Sequence, residues 1–256
     1  SFIFDTIRYN PIPPERAHEL HEEGRHVHGW LHEETYDLQV GYGILNDLDL
    51  YLAGAIVDKT MHQVEEHKDL GKTENAQGIG DSRLVAKHRF WKKHVEVAGL
   101  AGVKFPTGKK GDRDSFGAKF ETELQPGSGA WDGEFGIAAS RNFWQRLSMA
   151  TSFQYVLRGN GQHENLGDLF FYNTALSYAL RKLGKYPNLS LAAELNNRWA
   201  LKDNDHAEGE VFDSGGTSVF ITPGVVANIT KNLSGFWGIS VPFYQDLGGE
   251  EDITRL

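Results

Sequence analysis

The sequence contains no cysteine and only 2 methionines in 256 residues. The first absence removes any disulfide framework and any thiolate metal site. No window approaches the roughly 18 consecutive apolar residues that a membrane-spanning helix requires, so a helical membrane protein is excluded. Basic residues are also short, with Lys and Arg at 26 against 35 Asp and Glu and a net charge of −9. A nucleic-acid groove draws on clustered cations and is not expected. What the chain has instead is Gly at 29 and aromatic residues at 12%, a profile that suits strands and tight turns better than packed helices.

The hydropathy pattern has a period of two. In HVEVAGLAGVKFPTG, residues 94–108, Val95, Val97, Gly99, Ala101, Val103 and Phe105 form an uncharged row, and His94, Glu96, Ala98, Leu100, Gly102 and Lys104 form the other. Alternate side chains of a strand point to opposite faces, so one face is apolar and the other carries isolated charges. The same grammar recurs at 35–45, 48–57, 82–90, 131–140, 147–158, 168–181, 188–199, 216–229 and 233–246, with a less regular first strand at 2–9. The closing fragment ITRL reads as the opening of a further, incomplete strand, for about twelve in all.

Connections alternate as regularly as polarity does. Short reversals at Asn46-Asp47, Trp91 to Lys93, Asn142 to Arg146, Leu183 to Tyr186 and Thr230 to Asn232 take turns with long polar stretches at 10–28, 59–79, 106–128, 159–167 and 200–215. A spanning strand needs only about 9 to 11 residues with every second one apolar, and outer-membrane barrels join such strands by short periplasmic turns and long outer loops. Aromatic residues gather near strand ends, among them Phe90, Trp91, Trp131, Trp144 and Trp199, as interfacial girdles require.

Alternation alone leaves two orientations open, since a soluble barrel with its apolar row inside has the same period. The second face is sparse and small, with Gly, Ala and Ser between single charges of both signs. If it lines a wet bore, the lining is Asp37, Asp49, Arg83, Lys87, Arg89, Glu96, Lys104, Asp132, Glu134, Arg158, Glu194 and Arg198. Opposite charges inside a lumen can pair, and small residues leave room for water beside them.

Four local motifs bear on that choice. KFPTG at 104–108, QPGSGAWD at 125–132, DSGGTSVFITPGV at 213–225 and VPFYQDLGG at 241–249 resemble, in order and spacing, the outer-membrane channel family associated with phenol and other aromatic meta-pathway degradation. The resemblance covers roughly residues 36–249 and implies an all-β fold, a monomeric transmembrane antiparallel up-and-down β-barrel of about twelve strands. It implies diffusive uptake of small, often hydrophobic compounds across the bacterial outer membrane, with no cofactor and no covalent chemistry. The chain then reads as one barrel domain over 1–256, with 10–34 and 106–128 as long outer loops.

The loop between the KFPTG and QPGSG motifs is the longest available to fold inward. Phe116, Lys119, Phe120 and Glu121 are its candidate constriction residues. Pro223 in TPGV cannot donate to a ladder and marks an expected bulge or local break. The expected partners are small-molecule solutes, outer-membrane lipid and lipopolysaccharide. No metal is expected; His26 and His28, in the His- and Glu-rich stretch 18–34, are the residues that come nearest to a ligand pair. That stretch contains no HExxH, and a solvated outer loop explains it as well. Two other classes fit less of the pattern: a soluble all-β barrel enclosing a ligand, and an outer-membrane lipid-modifying enzyme. No GxSxG sits at a strand-to-helix turn, and Ser140 and Ser148 have no neighbouring His in the strand map.

Overall fold

The computed structural model describes residues 2–9, 28–63, 72–113, 117, 119–120, 122, 125–161, 164–205, 209–210, 214–231 and 233–247. They form one curled antiparallel sheet whose strands follow chain order. β1 (Phe2–Tyr9) pairs β2 (His28–Leu45), which pairs β3 (Leu48–Gln63) through the Asn46-Asp47 turn. β3 is then paired along its whole length by two shorter pieces, β4 (Lys72–Ile79) and β5 (Ser82–Lys92), which make one strand broken at Gly80-Asp81. β6 (Glu96–Phe105), β7 (Asp132–Asn142) and β8 (Leu147–Leu157) follow in register.

Beyond the short β9 (Glu164–Asn165) come β10 (Leu169–Ala179) and β11 (Asn188–Ala200). The small pairs β12 (Asn204–Asp205) and β13 (Gly209–Glu210) join β9 in a separate three-stranded sheet above the wall. β14 (Gly216–Asn228) then pairs both β15 (Ser234–Gly238) and β16 (Val241–Leu247), again one strand in two pieces. Counting each broken strand once, the wall is an up-and-down barrel sheet of the expected kind. A strand of about 11 residues runs roughly 36 Å, or about 27 Å of height at a tilt near 40°, enough for the apolar band of an outer membrane.

The apolar row faces outward. Leu38, Val40 and Tyr42 on β2 are 58%, 60% and 74% exposed, whereas Ala98 on the second face of β6 is buried. Phe135 and Ile137 on β7, Phe153 on β8, Leu176 on β10 and Leu191 on β11 continue the exposed row across the wall. The upper limit of that band is sharp. Tyr36, Ile56 and Ile79 lie side by side in register and are exposed and apolar; one pleat higher, Glu34, Asp58 and Gln77 replace them. There the Tyr36 hydroxyl donates upward to Glu34 at 3.1 Å, and Gln77 donates to Asp58 at 3.2 Å. An aromatic row marks the same end farther along, with Tyr155 and Phe170 at 5.2 Å and Phe170 and Trp199 at 6.2 Å between ring centroids.

One sequence expectation changes, and another is met on one side only. Residues 28–34, assigned to the first outer loop, are strand, and so are 59–63 and 72–79 of the second. The hydrogen-bonded ladder continues past the membrane edge, where its outward residues turn polar and the alternation used to find strands disappears. Pro223 does not interrupt its pairing with β11, where it stands opposite Ala193 without a register shift. The break falls instead on the other neighbour, between β15 and β16, where the Ile239 N–H donates to the Pro223 carbonyl at 3.2 Å. A strand residue directs N–H and C=O to the same neighbour, so the donor that proline lacks faces this break.

The orientation has a direct test. Ile137→Lys, on the outward row at mid-strand, is expected to lower the free energy of folding into phospholipid vesicles by about 2–4 kcal/mol. Ala138→Lys, one residue along on the inner face, is expected to cost far less. Urea titration of vesicle-folded protein measures both, and equal costs would reverse the assignment of the two faces.

Candidate functional site

The inner face gathers the charges into two cavities, stacked toward the two ends of the wall. The one at the turn end holds about 500 Å³ and is lined by Asp49, Lys87, Arg89, Glu96 and Glu194 between Ala, Ser and Asn side chains. The one at the loop end holds about 380 Å³ and is lined by Asp37, Arg83, Lys104, Asp132, Glu134 and Arg158, with Val156, Leu169 and Phe171 beside them. Of the twelve charges read from the sequence, only Arg198 lines neither; it lies on the same face of β11 as Glu194, opposite Phe171 and Ser218.

Strand register explains the grouping. Asp49 stands opposite Lys87, Gly102 opposite Glu134, and Lys104 opposite Asp132 and Arg83. Arg83 reaches across to Glu134 at 3.7 Å. At the turn end Arg89 forms a node: its Nη2 contacts Asp47 at 2.7 Å and its Nη1 contacts Glu96 at 3.3 Å, while Nη2 also donates to the Asn46 carbonyl. The hydrogen bond from Arg89 holds the Asp47 carboxyl below the usual carboxylate range. A side chain thus ties the first turn to the neighbouring strand pair. Lys87 and Arg198 make no ion pair among the described residues.

The mouth is built by two of the four motifs that carry the resemblance, and by one residue the sequence reading missed. Pro106 ends β6 and turns the chain inward, and the PTG and PGSG segments then cross so tightly that a Cβ on Gly127 would stand 2.6 Å from the Gly108 Cα. Only glycine fits at such an approach. Asp81, in the break between β4 and β5, holds the crossing together. Its carboxylate accepts from Gly108 N–H at 2.9 Å, Ser128 N–H at 3.0 Å and the Ser128 hydroxyl at 2.8 Å.

Lys104 joins the same node, with its ammonium 2.6 Å from Asp132, 3.4 Å from Asp81 and 2.5 Å from the Ser128 hydroxyl. Asp132 is nearly buried and accepts a further bond from the Gly159 N–H at 3.1 Å. Lys104 and Asp132 are therefore structural as much as lining groups. Nothing in the sequence marked Asp81, because its partners lie 27 and 47 residues away.

Of the constriction residues, Phe116 and Glu121 lie outside the described residues. Lys119 forms a backbone β-bridge with Arg113 and is exposed, and Phe120 is 5% exposed, so its ring is buried rather than standing free in the bore. Among the described residues of this loop, Thr122 and Ser128 reach the upper cavity. His26 lies outside the described residues, and of His28 only the backbone, in β2, is described. Among the described residues no group of acidic and His side chains converges as a metal site would require.

Removing the Asp81 carboxylate leaves two backbone donors without acceptors, at about 1–3 kcal/mol each when buried. Asp81→Ala and Gly127→Ala are each expected to release the mouth loop, read as faster proteolytic cleavage between 107 and 127 in barrels that still show heat-modifiable gel migration. Cleavage at the wild-type rate in both variants would remove the node's role.

Residues 26–251 match the family model described as "Putative MetA-pathway of phenol degradation". Among solved structures, an outer-membrane channel from Pseudomonas putida F1 superposes with a TM-score of 0.65 at 14% identity, over 86% of this chain and 79% of its own. CdiB from Escherichia coli gives a TM-score of 0.40 at 14% identity, over 87% of this chain and 44% of its own. No curated protein matches the chain. The outward apolar band and this fold put the protein in the bacterial outer membrane, and the chain belongs to the MetA-pathway phenol-degradation family.

Proposed function

We propose that the protein is a non-enzymatic channel through which small hydrophobic or aromatic molecules diffuse passively across the outer membrane. The observation that carries this reading is the mouth loop, pinned by Asp81 over a charge-lined inner face, directly above two successive cavities. A pinned loop narrows a path without sealing it. The family's name and the likeness to a channel protein support the reading. The upper cavity pairs apolar Val156, Leu169 and Phe171 with the charged row of Arg83, Glu134 and Arg158, which suits a solute with a ring and a polar edge.

In this mechanism a solute enters between the outer loops and passes Thr122. It rests briefly against the apolar wall of the upper cavity, then crosses the small-residue lower cavity to the periplasm. Contacts stay few, because a tightly held solute would not leave. Rows of charges of both signs on the inner face set a transverse field that orients a polar solute during passage.

Two measurements on purified protein in planar bilayers test the path. Deleting 113–124 is expected to raise single-channel conductance; an unchanged value in a folded barrel would remove the loop as the narrow point. Replacing Lys87 and Arg198 by Gln takes away two lumenal cations that no carboxylate neutralises among the described residues, and the reversal potential in a salt gradient is expected to move toward cation selectivity. No movement would mean that these side chains do not face the permeation path. Liposome influx of phenol and benzoate, compared with glucose, then reads the preferred class of solute.

A further inference from the structure

The turn end of the wall carries an unpaired basic collar. The four turns after the first are WKKHV at 91–95, RNFWQR within 141–146, LRKLGKYP at 180–187 and ITKNL at 229–233. Together they hold eight Lys and Arg and no Asp or Glu, in a chain whose net charge is −9. The acids nearest these turns among the described residues, Asp47 in the first turn and Glu96 at the start of β6, are both held by Arg89. The basic side chains are all exposed, and none forms an ion pair with a carboxylate among the described residues.

The collar is interleaved with exposed rings at the same level. Trp91 is 49% exposed, Trp144 75% and Tyr186 48%. Lys93 lies over the Trp91 ring at 4.8 Å and Arg141 over the Phe143 ring at 5.0 Å. A cation on a ring of this kind sits where acyl chain gives way to head group: the ring goes into the apolar side and the charge stays wet.

We propose that this collar binds anionic phospholipid head groups of the periplasmic leaflet and fixes the barrel's depth and orientation there. Charge sign selects an anion. Geometry selects a lipid rather than an acidic protein, because the cations are spread over four successive turns, from the β5–β6 turn to the β14–β15 turn. A folded protein partner would cover one side of this arc or hang beneath it. Only a leaflet touches all of its turns at one height, and its negative surface attracts each nearby Lys or Arg. The inference rests on the membrane setting and not on what crosses the bore, so conductance and lipid binding succeed or fail separately.

The test is the full-length barrel folded in nanodiscs of equal parts phosphatidylglycerol and phosphatidylcholine, with retained lipids counted by native mass spectrometry. Wild type is expected to retain phosphatidylglycerol several-fold over phosphatidylcholine. A variant with Lys92, Lys93, Arg181, Lys182 and Lys185 replaced by Gln is expected to retain the two about equally while still showing heat-modifiable migration. Replacing the four lysines of that set by Arg is expected to keep the preference, which separates charge from packing. Equal retention by wild type overturns the proposal, as does an undiminished preference in the Gln variant. So does wild-type binding of polyglutamate without lipid preference, which would identify an acidic polypeptide as the occupant.

Discussion

In a hydrocarbon layer no water is available to satisfy a backbone N–H or C=O, so each must find a partner on the neighbouring strand. Everything else in this molecule follows from that demand. It forces the chain into a continuous antiparallel ladder, which fixes side-chain direction residue by residue. Once direction is fixed, a charge at any spanning position has one tolerable side, the inner one. The charges read from the sequence are therefore confined to one face, and several meet there as the register brings them together, such as Arg83 with Glu134 and Lys104 with Asp132.

The same demand explains why the strands in the apolar band were legible in the sequence and their extensions were not. Leu38, Val40 and Tyr42 announce a strand because lipid requires an unbroken row on one parity. At Glu34, Asp58 and Gln77 the ladder persists, but water on both sides removes the requirement, and the period of two goes with it. The residues of the site divide in the same way. Lining charges could be read because parity placed them. Asp81 could not, because it lies in a strand break and its partners arrive from a loop; only proximity in space gives it a role. The motifs flanking that loop were recognisable without their reason being visible. PTG and PGSG are spaced as they are because Gly108 and Gly127 must pass each other with no side chain between them.

Broken strands recur where the wall has something else to do. The β4–β5 break at Gly80-Asp81 releases a carboxylate from the ladder so that it can reach loop amides. The β15–β16 break faces the imino nitrogen of Pro223, where a ladder would lack a donor. At the first break the Gly80 N–H still bonds to Ala55 at 2.8 Å, and Lys109 takes over the Ile79 carbonyl at 2.7 Å, so the interruption leaves these groups partnered. At the second, Thr222 and Ser240 join their hydroxyls at 2.8 Å on the inner side. A wall that must stay fully bonded can still be opened locally, provided that a side chain or a loop replaces each lost contact.

The two ends of the barrel solve different electrostatic problems. At the mouth a lysine and two aspartates are largely withdrawn from water, and they persist because each is multiply hydrogen-bonded: an incomplete set at this depth would cost more than an apolar replacement. There the charges act as structure, locking a loop in one place. At the turns the cations stand in water, form no ion pair with a carboxylate among the described residues, contribute little to folding, and leave their charge available to whatever lies outside. A buried, saturated node and an exposed, unsaturated collar on one chain separate the charges that position the path from those that position the protein.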